Sequence, residues 1–228
     1  MKVTKISQQV KRPDRYSVYI DEHYLFSLNE YQLAGSGLRL GKELTADELD
    51  TFQQDSQFGK AYERSLNYVM IRPRSEREIR EYLTRTFLYP KPKVFPSKTG
   101  ERVVKKQSVD KTSVQAMIER VMSRLKEKNY INDEIFAKAW IESREFSKKT
   151  SKRRLQQELQ QKGVAPEIIA TMLQNSEVNE QANLRGLITK KRRLSRYQDD
   201  AKLLPYLVRQ GYSYSDVKDA LGKDNDEA

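Results

Sequence analysis

The chain has 228 residues and a formal net charge of +11; 37% of its residues are apolar and 33% are charged. It has no cysteine, which excludes disulfides and thiolate metal sites. No apolar run approaches the roughly 18 residues of a membrane-spanning helix, and Met1 to Arg12 lacks the apolar stretch of a signal peptide, so a cytoplasmic protein without membrane contact is expected. An ordinary globular domain is about 45–50% apolar and about 25% charged. So much surface for so little core favours an elongated molecule. The charge is uneven: residues 1–58 carry seven Lys/Arg and nine Asp/Glu, so the positive excess belongs to residues 59–228. A basic face of that kind suits nucleic acid or an acidic partner.

The N-terminus reads as a three-stranded antiparallel meander. Residues 3–10 and 15–28 have strand character. Tyr16, Val18 and Ile20 alternate with Arg15, Ser17 and Tyr19, and Asp21-Glu22-His23 is a polar turn before Tyr24 to Leu28. Leu33 to Leu44 is Gly-rich and reads as a loop. Thr45-Ala46-Asp47-Glu48 has capping-box spacing and opens a helix expected to run to about Phe58. Residues 1–58 are taken as one small domain of sheet plus helix.

From residue 59 a three-helix unit recurs three times, over 59–131, 132–176 and 177–222, with an acidic tail at 223–228. The middle unit is clearest. Asn132-Asp133-Glu134 caps a helix carrying Phe136, Ala139, Trp140 and Ser143. Ser151 opens a second helix with Leu155 and Leu159, and Gly163 closes it as a left-handed C-cap before Val164. Pro166 begins a third helix with Ile168, Ile169, Met172 and Leu173. Upstream, Tyr62, Leu66, Val69 and Met70 share a helical face. Ser75 to Glu78 is a capping box before Ile79, Tyr82 and Leu83, and Val114, Met117, Ile118, Val121 and Leu125 keep 3–4 spacing. Downstream come Leu184, Leu187 and Ile188, then Asp199/Asp200 capping Leu203, Leu204, Leu207 and Val208. Gly211-Tyr212 matches Gly163-Val164, and Ser213 to Leu221 supplies a ninth helix. No unit buries its apolar face alone, so the units are expected to stack into an elongated arch. Residues 88–112 interrupt the first unit. Pro90, Pro92 and Pro96 exclude a helix there, and Val94-Phe95 with Val103-Val104 would close a hairpin about Ser97 to Gly100 if the segment is not simply a surface loop. The tail from Asp216 to Ala228 holds two basic and five acidic residues and is expected to fray.

The residue set argues against catalysis. The one histidine, His23, has no local partners for a triad or a metal site. Gly35 to Lys42 only resembles a phosphate loop, since five residues separate Gly35 from Gly41 and Glu43 follows Lys42. Asp133/Glu134 and Asp199/Asp200 stand at helix starts, where the macrodipole accounts for them. No enzyme activity, cofactor or metal is expected. The basic clusters are the better candidates. Arg72 and Arg74 precede the second helix of the first unit. Lys148, Lys149, Lys152, Arg153 and Arg154 take that place in the second unit, and Lys190, Lys191, Arg192, Arg193 and Arg196 in the third. A charge run is usually a solvated face. Recurrence at one repeat position points to a binding surface.

Tyr130-Ile131-Asn132-Asp133, Phe136-Ala137, Trp140, Arg144, Arg154-Leu155, Glu158-Leu159 and Lys162-Gly163-Val164 together resemble the central signature of the RecX family of regulators. Arg72-Pro73-Arg74-Ser75-Glu76, with Glu78-Ile79 and Leu83, is similar to the family's first-repeat signature, although Thr86 stands where the second unit has Gly163. The resemblance covers residues from about 60 to 222. It implies nine helices in three repeats, preceded by the sheet extension of longer members. It also implies that the chain binds the RecA–single-stranded DNA filament and inhibits its growth, ATP hydrolysis and strand exchange. A monomer is expected. On the residues alone other readings stay open: a general DNA-binding helical protein, for single- or double-stranded DNA and without a recombinase partner, or a helical scaffold for an acidic protein.

Overall fold

A computed structural model describes residues 1–90, 93–96, 102–105, 109–148 and 150–226, with 93–96, 102–105, 147–148 and 223–226 described by backbone alone. The chain is mainly helical with an N-terminal three-stranded antiparallel sheet. Two compact units are distinguished, one of residues 1–72 and 79–130 and one of residues 73–78 and 131–228.

In the first unit, β1 (Val3–Gln9), β2 (Arg12–Ile20) and β3 (His23–Asn29) form the expected meander, with Val18 opposite Phe26 and Tyr16 opposite Leu28. Asp21 and Glu22 both take positive φ, 46° and 69°, in the tight β2–β3 turn. Neither is glycine, and the turn is held from outside. Asp21 Oδ1 accepts the Lys2 N–H at 2.9 Å, and Thr4 Oγ1 accepts the Glu22 N–H at 2.9 Å. Val3, Val18, Ile20, Phe26 and Leu28 of the sheet form a buried core with Leu44.

Arg15, in the set that alternates with Tyr16, Val18 and Ile20, is a charged residue that is nonetheless buried. Its guanidinium grips both carboxylate oxygens of Glu63 at 2.8 Å and donates to the Ser27 carbonyl at 2.8 Å. A cation can sit under a sheet when a bidentate partner satisfies it.

Three expectations for the helices are corrected. The stretch read as a loop from Leu33 begins inside a short helix, α1 (Glu30–Ser36), whose capping box is formed by Asn29 and Gln32. The helix expected to end near Phe58 does not end there. α2 runs from Ala46 to Ile71, so the boundary at 58/59 falls inside one helix of 26 residues. One interior glycine costs only about 1 kcal/mol, and burial of Ala61 and Ser65 just beyond Gly59 offsets it. Met70, expected on the apolar face, is exposed, as is Ile71. The remaining helices of this unit are the larger part of α3 (Glu76–Leu83), continued by a single wide turn at Thr84–Leu88, and α4 (Lys111–Glu127). They bury Ile79, Leu83, Val114, Met117, Ile118, Val121, Met122 and Leu125. Within the insertion, β4 (Lys93–Pro96) pairs antiparallel with β5 (Arg102–Lys105), as the hairpin alternative required. Its turn, Ser97 to Gly100, lies outside the described residues.

The second unit contains two three-helix groups. α5 (Asp133–Lys148), α6 (Lys152–Gln161) and α7 (Pro166–Gln174) enclose Phe136, Ala137, Ile141, Leu155, Leu159, Val164 and Ile169. α8 (Glu180–Arg192), α9 (Asp200–Arg209) and α10 (Tyr214–Asp226) enclose Leu184, Ile188, Leu203, Leu207, Tyr212, Val217 and Leu221. The caps expected at Ser151, Asp199 and Pro166 are in place, and Gly163 and Gly211 are left-handed. The tail expected to fray from Asp216 is helical as far as Asp226; Glu227 and Ala228 lie outside the described residues.

Candidate functional site

The basic residues between first and second helices divide on inspection. Arg72 is the C-cap of α2, in extended backbone, and Arg74 is half-buried. Lys149 and the side chain of Lys148 lie outside the described residues. Lys152, Arg153 and Arg154 fill the first three positions of α6, with Arg153 and Arg154 exposed. Arg192, counted among the binding residues, is engaged in holding its own turn. Its guanidinium donates to the Gln198 carbonyl at 2.6 Å and pairs with Asp200 at 2.5 Å. It thereby bridges the end of α8 to the start of α9.

Four of the expected residues converge. Arg154 from α6, Lys190 and Lys191 from α8 and Arg193 just beyond it line one open cleft of the second unit, together with Phe146, Thr150, Glu158, Tyr206 and Gln210. Lys191 Nζ lies 4.7 Å from the ring centre of Tyr206 and 5.5 Å from that of Tyr197. These cation–π contacts draw the ammonium over the aromatic pair.

Phe146 was not singled out from sequence. It is 96% exposed at the cleft edge, near the end of α5. A signal existed: at 100° per residue it falls roughly opposite the arc of Phe136, Ala137 and Ile141. A large apolar side chain off the buried face, followed by lysines, is a surface feature with no core role.

Beneath the cleft sits Glu158. Its side chain is 18% exposed and accepts from Arg144 Nε at 2.7 Å and from the indole Nε1 of Trp140 at 3.0 Å, with Arg154 Nε at 3.5 Å. Burial alone would raise this carboxyl. The hydrogen bonds from Arg144 and Trp140 and the charges of Arg144 and Arg154 outweigh it, and the group is held below its ordinary 4.5. Arg144 also stacks on the Trp140 ring at 4.2 Å, and Lys162 lies 5.2 Å from it on the way to its ion pair with Glu78 at 2.8 Å. Arg144, in the middle of the apolar arc of α5, is explained by this network.

The arrangement offers cations for anionic groups and an exposed ring for stacking. Among the described residues no group of three or more His, Cys, Asp or Glu could hold a metal, and no helix is long and apolar enough to cross a membrane. His23 is exposed in its turn, its Nδ1 2.7 Å from the Asp21 carbonyl.

Fold and cleft together define a mainly helical, basic protein with an N-terminal three-stranded antiparallel sheet. Comparison with known proteins gives the family. Residues 1–45 match the model of the regulatory protein RecX N-terminal domain, and residues 132–173 match that of the second three-helix domain of RecX. The chain is 30% identical over 220 residues to the regulatory protein RecX of Bacillus cytotoxicus, covering 92% of this chain and 72% of that one. It is 28% identical over 227 residues to that of Listeria monocytogenes serotype 4a, covering 96% and 74%. A crystal structure of regulatory protein RecX superposes with a TM-score of 0.66 at 25% identity, over 96% of this chain and 98% of the other. The chain belongs to the RecX family, whose members in these comparisons are named as regulatory proteins, not as enzymes.

Proposed function

We propose that the chain regulates the RecA–single-stranded DNA filament in the cytoplasm, restraining filament growth, ATP hydrolysis and strand exchange without chemistry of its own. The observation that carries this reading is the cleft, in a chain of the RecX family, where Arg154, Lys190, Lys191 and Arg193 meet the exposed Phe146. The contact surface extends in this reading to Arg72, Arg74, Lys148, Lys149, Lys152 and Arg153. The three helical repeats, α2–α4, α5–α7 and α8–α10, are the partner-facing domains, and a monomer is the working form. Binding across neighbouring protomers opposes their addition sterically.

The test is single-stranded-DNA-dependent ATP hydrolysis by RecA, titrated with wild type and with the triple variant Lys152→Glu, Arg153→Glu, Arg154→Glu. Wild type is expected to suppress hydrolysis well below one copy per recombinase. The folded triple variant should not. Unchanged suppression by that variant refutes the assignment of the surface. Suppression only at concentrations that coat naked DNA, with a steep salt dependence, favours a general DNA binder.

A further inference from the structure

Ser151 caps the start of α6, yet its side chain is fully buried. An N-cap serine ordinarily faces water, since its task is to accept one free N–H of the first turn. Ser151 does accept the Arg154 N–H at 3.2 Å, but its own proton goes to the carbonyl of Gln210, the C-cap of α9, at 2.8 Å. The next residue, Gly211, is left-handed at φ 94°, and a Cβ built on it would stand 2.5 Å from Ser151 Oγ and 3.1 Å from the Arg154 nitrogen. A third contact completes the set. The Lys152 N–H, first in α6, donates to Glu180 Oε1 at 2.8 Å from the first turn of α8. The start of α6 is therefore held by the C-cap of α9 and by the N-terminus of α8.

The same three contacts recur around Ser75, again buried. Ser75 Oγ accepts the Glu78 N–H at 3.2 Å and donates to the Lys162 carbonyl at 2.8 Å. Asp133 Oδ1 accepts the Glu76 N–H at 2.8 Å. A Cβ on Gly163, at φ 81°, would stand 2.7 Å from Arg77 Cβ. Two independent sites with one geometry argue for a device and not an accident of packing. In each, a serine joins the start of one second helix to the end of the next, and an acid from the following first helix takes the helix's first N–H.

We propose that Ser151, Glu180 and Gly211 are positioning residues, through which the third repeat holds the basic turn Lys152-Arg153-Arg154 of the second at the cleft. Lys152, Arg153 and Arg154 are the first three residues of α6, so their backbone is what the clamp fixes. Arg154 and Gln210, joined through Ser151, both line the cleft. The clamp makes the second and third repeats one binding element. Partner affinity then depends on three residues that carry none of the positive charge.

The functional arm of this proposal rests on the filament reading; the structural arm does not. The first N–H groups of a helix have no intrahelical acceptor and exchange quickly with solvent. Here the Lys152 and Arg154 amides should be protected. In Ser151→Ala and Gly211→Ala, which leave net charge unchanged, exchange at those amides should rise, and the concentration giving half-suppression of RecA hydrolysis should rise with it, each by about tenfold. Glu180→Ala and Glu180→Gln remove the same charge, but glutamine keeps an oxygen acceptor. Glu180→Gln should therefore restore most of what Glu180→Ala loses at Lys152. Tryptophan fluorescence confirms folding, and should Gly211→Ala fail to fold, Ser151→Ala and the Glu180 pair still decide. Fast exchange at Lys152 in wild type, or full potency in folded variants whose exchange has risen, overturns the proposal. Wild type without effect on RecA overturns the filament reading, and leaves the clamp to be judged on exchange alone.

Discussion

Replacing Glu158 by alanine tests whether the network under the cleft stabilises the second unit as its geometry implies. Glu158 and Arg144 have side chains only 18% and 22% exposed, and their contact is 2.7 Å. A charge-assisted hydrogen bond of this kind contributes about 1.5–3 kcal/mol, and the half-buried Trp140 N–H left without its acceptor adds about 1 kcal/mol. Arg154 is 44% exposed at 3.5 Å, so its pair adds only about 0–0.5 kcal/mol. These contributions share one carboxylate and are not additive; the expected loss is about 3 kcal/mol. The assay is built in. Trp140 is the one tryptophan of the chain, so a urea titration followed by its fluorescence reports this unit. With a urea slope of about 2 kcal/mol per molar, the midpoint should fall by about 1.5 M. Glu158→Gln keeps an acceptor for the indole and loses the charge, and should lie about midway. A loss under about 1 kcal/mol for the alanine variant, with native Trp140 emission unchanged, would refute the network as a source of stability.

Two further outcomes are expected. Glu63→Ala strips the buried Arg15 of both oxygens and should destabilise the first unit by about 3 kcal/mol, while Arg15→Met with Glu63→Leu recovers most of it; hydrogen exchange along β2 and β3 is the measurement, and a double variant no better than the single one contradicts the argument. For pH, a carboxyl held low in the folded state stabilises fully above its unfolded value, and that stability is lost as pH falls through the folded value. The Trp140 urea midpoint should therefore be nearly flat from neutral pH to just above the ordinary glutamate value of 4.5 and decline below it, less steeply in Glu158→Gln.

Sequence alone determined most of the helices, their caps and the meander. The capping box at Thr45, the N-caps at Ser151 and Asp199, the N1 proline at Pro166 and the left-handed glycines at 163 and 211 are local signals. Each is read by backbone groups within about four residues, so a linear pattern contains them. The recurrence of cations between first and second helices was legible for the same reason. The family signature was legible too, because it consists largely of those caps and the core positions between them.

Tertiary structure decided the rest. It joined the helix expected to stop at Phe58 to the one after it, because burial beyond Gly59 outweighs the local preference to end there. It turned Arg15 inward, through a carboxylate 48 residues away. It sorted the basic residues, sending Arg192 to Asp200 and bringing Arg154 to Lys190, Lys191 and Arg193 beside Phe146. It also gave Ser151, in sequence an ordinary cap, a carbonyl partner 59 residues on. Convergence of this kind depends on how helices pack across tens of residues, and no local pattern records which of several equivalent cations will face the same space.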